Sequence, residues 1–445
     1  MNTPIYDFVR KYTLSDTARF HMPGHKGKTL LGCEALDITE IGGADCLYSA
    51  DGVILESENN ATSLFGTAHS FYSAEGSTLA IKAMLALVTE DARARGERPL
   101  VIAARNAHRA FISASALLDI DVLWIYPKGD EHVCQCNMDI AELELAITSA
   151  DRKPSAVYIT TPDYLGNICD VRAVSEVCKK HRVALCVDNA HGAYLKFLSP
   201  SIHPIDLGAD VCCDSAHKTL PVLTGGAYLH VSHSAAKYLE RARDYLSLFA
   251  STSPSYLILQ SLDLCNKYLA EEYVSELSEF IKKFDVLKAT AAALGFKTLE
   301  SEPLKLVIDA SASGYKGSEL AELLREKNIE AEFSDDKYLV LMATPENGER
   351  DVEKLVAALS VIEHRAPITS TPPEYPRAEQ AMSIREAMLS PAETVAVKDA
   401  KGRICGTPTV SCPPAVPIIV SGERVTDEVI DLLNFYKTEY IKVVK

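Results

Sequence analysis

Short apolar runs alternate with longer amphipathic stretches through the middle of the chain. The runs are PLVIAA (99–104), DVLWIYP (121–127), SAVYITTP (155–162), VALCVD (183–188) and ADVCCDS (209–215). Between them lie STLAIKAMLALVTEDARA, HRAFISASALL, DIAELELAITSA and VRAVSEVCKKHR, which read as helices. The runs are apolar throughout, as in strands covered on both faces. Strand–helix repetition implies right-handed crossovers and an α/β fold with a parallel or mostly parallel sheet.

Residues 1–60 read as an arm with short helices, and 61–265 as the large domain. Residues 266–365 read as a helical stretch and then a smaller α/β unit, with strands at LKLVIDAS and KYLVLMAT and helices at GSELAELLREKN and RDVEKLVAALSVIEH. The four prolines of APITSTPPEYP break the periodicity and mark a linker at 366–377. The tail, 378–445, contains GTPTVSCPPAVPIIVSGE and is expected to end in a helix.

Composition narrows the class. A chain of 445 residues, 47% hydrophobic and 24% charged, is globular and long enough for two or three domains. No apolar run approaches the ~20 residues of a membrane span. The start, MNTPIYDFVRKYTLSD, lacks the apolar core of a signal peptide, so the expected location is the cytoplasm. A balance of 45 basic against 61 acidic residues disfavours nucleic acid. It could draw in cationic substrates, although solubility is the commoner cause. Twelve cysteines show no CxxC pair; the tight groups are Cys134 with Cys136 and Cys212 with Cys213. Free thiols in a reducing compartment are expected, and no metal. His21 and His25 are four apart, but Pro23 and Gly24 between them favour a loop over a zinc-binding helix.

Ligands of open parallel sheets bind beyond the carboxyl ends of the strands, so polar residues there matter. Asp188 ends VALCVD, either as a functional carboxylate that needs a partner or as a cap of the next turn. Lys218, in CDSAHKTLP, either pairs with Asp188 or Asp214 or serves as a nucleophilic amine whose pKa burial lowers. Gly76, Ser77 and Thr78 open a helix, as an anion cradle or an ordinary cap. Taken together, a phosphate cradle, a strand-end carboxylate and a strand-end lysine are what pyridoxal 5′-phosphate requires. The lysine anchors the aldehyde, and the carboxylate keeps the pyridine nitrogen protonated so that the ring accepts electrons. His108, just after PLVIAA, is placed to stack on that ring.

At these residues the chain resembles the Orn/Lys/Arg decarboxylase family, which has the aspartate-aminotransferase type of fold (fold type I). The resembling blocks are FHMPGHKG, DITEIGGADCLYSADGVI, LFGTAHSFYSAEGST, ARNAHRA, TPDYLGNICD, VDNAHGAY, DSAHKTLPVLTGGAYLH, ASTSPSYLILQSLD and CPPAVPIIVSGE, spread over nearly the whole chain. The resemblance implies that Lys218 is the Schiff-base lysine, that Asp188 binds the pyridine nitrogen and that His108 stacks on the ring. It implies that Ser77, Thr78, Ser215 and His217 hold the phosphate, and that His191 touches the cofactor's phenolic oxygen or the substrate. Thr252 would reach the phosphate of a neighbouring subunit, making a homodimer the active unit. Glu423 would receive the substrate's distal cation, with Cys412 nearby. The implied reaction is α-decarboxylation of lysine, arginine or ornithine to CO2 and a diamine or polyamine. The chain departs from the family pattern at Asn189, where glutamate is common, in the AEGST loop, and at Cys412 and Ser421, where tyrosine and proline are frequent. Because it begins close to HMPGHKG, a short form without the amino-terminal wing is expected. The rival readings are an aminotransferase or aldolase on the same fold, a catalytically inactive regulatory homologue, and a nucleotide-binding Rossmann enzyme, for which GxGxxG is lacking.

Overall fold

The computed structural model describes residues 1–128, 132–369, 373–408 and 415–445. The fold is α/β, with a mostly parallel central sheet flanked by helices. Its strands in chain order are β1 (His69–Ser73), β2 (Leu100–Ala104), β3 (Asp121–Ile125), β4 (Ala156–Thr160), β5 (Ala184–Asp188), β6 (Val211–Asp214) and β7 (Ala227–Val231). Two compact units are each assembled from several stretches. The first comprises Met1–Arg95, Ser155–Val157 and Val171–Glu276; the second comprises Gly96–Pro154, Tyr158–Asp170 and Leu277–Lys445.

In the first unit β5 and β6 run parallel, while β7 lies antiparallel to both β6 and β1. All residues of β6 and β7 are buried, which explains their mainly apolar character; their two polar members, Asp214 and His230, meet each other. The helix Gly76–Val88 is buried almost all round from Leu79 onward, as its apolar sequence, broken only by the partly exposed Lys82, requires. β1 escaped the sequence reading because HSFYS carries two serines and a histidine. Both serines are buried, and Ser70 is satisfied by Thr67 and His230.

In the second unit β2 and β3 pair in parallel from Leu100 opposite Asp121. A four-stranded antiparallel sheet follows, formed by β8 (Lys297–Leu299), β9 (Lys305–Asp309), β10 (Phe333–Ser334) and β11 (Tyr338–Met342) in the order β10-β11-β9-β8. The helices Gly317–Arg325 and Glu349–Ser360 accompany it at the two sequences read as helical. The C-terminal segment adds an antiparallel sheet of β12 (Ala392–Ala396), β13 (Cys405–Thr407) and β14 (Tyr440–Val444), with β14 in the middle. One apolar core joins the two small sheets through Val307, Val340, Ile419, Leu432 and Val443. The tail therefore ends in a strand, not in the expected helix. The helix Asp427–Phe435 stops where Lys437 takes a left-handed φ of +56°, and YIKVV then alternates, burying Ile441 and Val443. No helix among the described residues is long and apolar enough to cross a membrane.

Candidate functional site

The pairing of β5 with β6 sets Asp188 opposite Cys213, so the two strands end side by side. Asp188 is buried; its Oδ1 accepts the Ala190 N–H at 3.3 Å and faces the Cys213 thiol at 3.6 Å. The chain then closes a tight turn. Asn189 N–H donates to the Cys213 carbonyl at 2.9 Å, and Gly192 N–H to the Asn189 carbonyl at 2.8 Å. A Cβ on Gly192 would lie 1.9 Å from Asn189 Oδ1, so this close approach needs glycine. The turn carries His191. After β6, a single helical turn, Ala216–Thr219, carries Lys218. The half-buried Lys218 amine lies 2.9 Å from His191 Nε2, which joins the ends of the two strands.

The phosphate-cradle candidates gather at the start of Gly76–Val88. Gly76 has a φ of +70°, a conformation that costs a side-chain-bearing residue, and its N–H donates to the Gly225 carbonyl at 2.7 Å. Ser215 Oγ donates to Ser77 Oγ at 2.9 Å, bringing the end of β6 to this helix N-terminus. Thr78 is exposed on the same first turn. Hydroxyls beside first-turn N–H groups without helical acceptors suit an anion. His217 Nδ1 donates to the Gly226 carbonyl at 2.9 Å. Burial pushes the His217 pKa down and the Lys218 charge adds to this, against the Gly226 bond, so the ring is neutral. An amine, a buried carboxylate and convergent hydroxyls at a helix N-terminus thus belong to one unit. That donor set matches the aldehyde, ring nitrogen and phosphate of pyridoxal phosphate.

Other candidates lie elsewhere. Thr252 is exposed; its neighbour Ser251 donates its N–H to Glu75 Oε1 at 2.7 Å, next to Gly76. In the second unit, His108 caps the helix Arg109–Leu118, its Nδ1 accepting the Ala110 N–H at 3.1 Å. Glu423 is buried there with Arg105 Nη2 3.0 Å from its Oε2, which also accepts the Val420 N–H at 2.7 Å. Burial raises the Glu423 pKa, and Arg105 pulls it the other way. Cys412 lies outside the described residues. His21 and His25 sit in turns, meeting Tyr12 and Asp37 respectively. The eleven described cysteines are free thiols.

Sequence reasoning missed Arg105 and the pair His203 and His230. Two of them had a signal, Arg105 as an arginine directly after LVIAA and His230 as a histidine inside the apolar AYLHV, whereas His203 had none. Asp214 was weighed only as a partner for Lys218. Its oxygens instead accept from His203, His230 and Asn189.

Comparison with known proteins agrees with this geometry. The chain is 29% identical to the protein YaaO of Bacillus subtilis (strain 168), a match covering 98% of this chain and 94% of that one. It is 28% identical to the arginine decarboxylase of the same organism, covering 96% and 92%. Among solved structures, the Francisella novicida lysine decarboxylase LdcF superposes with a TM-score of 0.82 at 15% identity, covering 100% of this chain and 81% of that one. The Orn/Lys/Arg decarboxylase major domain matches residues 3–298, and the C-terminal domain of the same family matches residues 368–441. With both parts of the family present in order, the chain belongs to the Orn/Lys/Arg decarboxylases.

Proposed function

We propose that this enzyme holds pyridoxal 5′-phosphate on Lys218 and removes the α-carboxylate of a basic amino acid, namely lysine, arginine or ornithine. The products are CO2 and a diamine or polyamine. The observation that carries the reading is the Lys218 amine against His191 at the end of β6, with buried Asp188 ending the neighbouring strand. Names such as arginine decarboxylase among the relatives support the substrate class. When bound, the cofactor supplies an electron sink for the pair left on Cα as the carboxylate departs.

The chain's own groups do the rest. Asp188 keeps the ring nitrogen protonated. The Gly76 turn, Ser77, Thr78, Ser215 and His217 hold the phosphate. His191, at hydrogen-bond distance from the Lys218 amine, exchanges the proton that switches that amine between nucleophile and ammonium. The ammonium then returns a proton to Cα. On the family motifs, His108 stacks on the ring and Glu423 receives the distal cation. Thr252 is exposed and so accessible to a second copy, which supports a homodimer with shared sites. Free thiols support a cytoplasmic setting.

The test is a panel of amino acids assayed for CO2 and for keto acid. We expect CO2 from at least one of lysine, arginine and ornithine without keto acid, and no turnover by Lys218→Ala. Keto acid without CO2 would make the enzyme an aminotransferase; no product from any amino acid would refute the reading.

A further inference from the structure

Beneath the proposed cofactor site, β6 and β7 enclose a polar cluster with no exposure. His203, Asp214 and His230 are each 0% exposed. Asp214 Oδ2 accepts from His203 Nε2 at 3.0 Å and from His230 Nε2 at 3.2 Å. Its Oδ1 accepts from Asn189 Nδ2 at 2.8 Å and faces the Cys212 thiol at 3.6 Å.

Three ligand-type atoms this close could hold a metal ion, but the tautomers argue otherwise. His203 Nδ1 accepts the Ile205 N–H at 3.3 Å, because His203 caps the helix Pro204–Leu207. The His203 proton that faces Asp214 therefore sits on Nε2. His230 Nδ1 lies 2.8 Å from Ser70 Oγ, whose hydroxyl can donate to it and leave the proton on Nε2. Burial pushes the His230 pKa down against the pull of Asp214. Burial also works against the Asp214 anion, yet the two imidazoles outweigh it and hold its carboxyl well below the usual carboxylate range. The cluster is a carboxylate gripped by N–H donors. A metal would have to displace both protons.

What the grip controls is Asn189. Its backbone joins Asp188 to the turn bearing His191, and its side-chain amide donates to Asp214. Asn189 Oδ1 is buried without a partner, against the space a Cβ on Gly192 would fill. The amide is therefore oriented from one side only.

We propose that Asp214 is a positioning residue for the cofactor site: fixed by two imidazole N–H donors, its carboxylate clamps the Asn189 amide and so sets the turn that presents Asp188 and His191. This rests on the reading of Lys218 as the cofactor anchor, and two readouts separate the claims. The first is hydrogen exchange at the Asn189 and Gly192 amides of the protein freed of cofactor. The second is the pyridoxal phosphate dissociation constant, with the visible circular dichroism of the bound form.

Asn189→Ala and Asp214→Ala should each speed that exchange at least tenfold, weaken cofactor binding at least tenfold and change the dichroism. Asp214→Asn can still accept from both imidazoles and can donate to a flipped Asn189, so it should stay within about threefold of wild type. Should Asp214→Ala fail to fold, Asn189→Ala carries the same test, since it leaves the imidazole–carboxylate cluster intact. Unchanged exchange and affinity in Asn189→Ala would overturn the proposal, as would Asp214→Asn behaving as badly as the alanine variants. Wild type that shows the expected exchange pattern but takes up no pyridoxal phosphate would sink the cofactor reading and leave the clamp standing.

Discussion

At Arg105, three kinds of contact hold one cation in the interior. Its guanidinium reaches Glu423 at 3.0 Å and the carbonyls of Pro417 and Ile418 at 3.1 and 3.0 Å. It also lies over the rings of Trp124 and Tyr375. Burial opposes the charge, but Glu423 together with Tyr375 and Tyr126 outweighs it and pushes the Arg105 pKa up. Removing one partner leaves the other charge buried alone, which costs about 3–5 kcal/mol. Arg105→Ala and Glu423→Ala should each lose that much in urea unfolding; a loss below about 1 kcal/mol would show that water reaches the pair. Glu423 was legible as a motif residue, and Arg105 was not, because a motif names positions and not their partners. If Glu423 receives a substrate cation, it does so with one oxygen already engaged by Arg105 and Val420. The same lesson holds at the ends of β5 and β6. Asp188 and Lys218 were legible from strand-end logic. The attachment of Asp214 to two histidines was not, because His203 and His230 come from separate stretches that only the fold brings together.

Among elements, the helix Tyr256–Tyr268 is tied to two others through one carboxylate. Asp263 accepts the Tyr6 N–H of Pro4–Thr13 at 2.9 Å and the Ser57 hydroxyl of Val53–Phe65 at 2.6 Å. Burial outweighs these bonds and raises its pKa to about 6. The ordinary value of an unfolded aspartate is about 3.9, so between about pH 4 and pH 6 the folded state binds more protons than the unfolded one. Stability from this group is therefore gained as pH falls from 7 to 5 and lost as pH rises through 6. Relative to Asp263→Asn, wild type should gain about 1 kcal/mol between pH 7 and pH 5, read from urea midpoints at each pH. A pH-independent difference would contradict the raised pKa. β2, β4, β5 and β6 were legible because burial on both faces leaves mainly apolar runs, whereas β3, also read as a strand, is only partly covered, with Leu123 exposed. β1 and β14 were not legible. In β1, partnered serines replace apolar residues; in β14, two buried positions in a short alternating run were taken for the end of a helix.

Across the molecule, the α/β class and two strands of the smaller unit, β9 and β11, follow from sequence alone, the C-terminal sheet of β12, β13 and β14 does not, and the N-terminal arm carries apolar side chains that the chain itself leaves in water. Phe20 is 98% exposed, Leu30 87% and Leu31 90%. A homodimer that covers the arm would bury about 1.5–3 kcal/mol per leucine, so Leu30→Glu with Leu31→Glu should weaken association at least 100-fold in sedimentation equilibrium. Unchanged association would place the dimer interface elsewhere. This exposure was not legible in the sequence, because it depends on what the rest of the fold leaves uncovered. The central claim concerns one amine, and borohydride reduction of the protein incubated with pyridoxal phosphate, followed by peptide mapping, reads it directly. The account requires a pyridoxyl group on the peptide containing Lys218, and its loss in Lys218→Ala. A label on another lysine, or none, would contradict it.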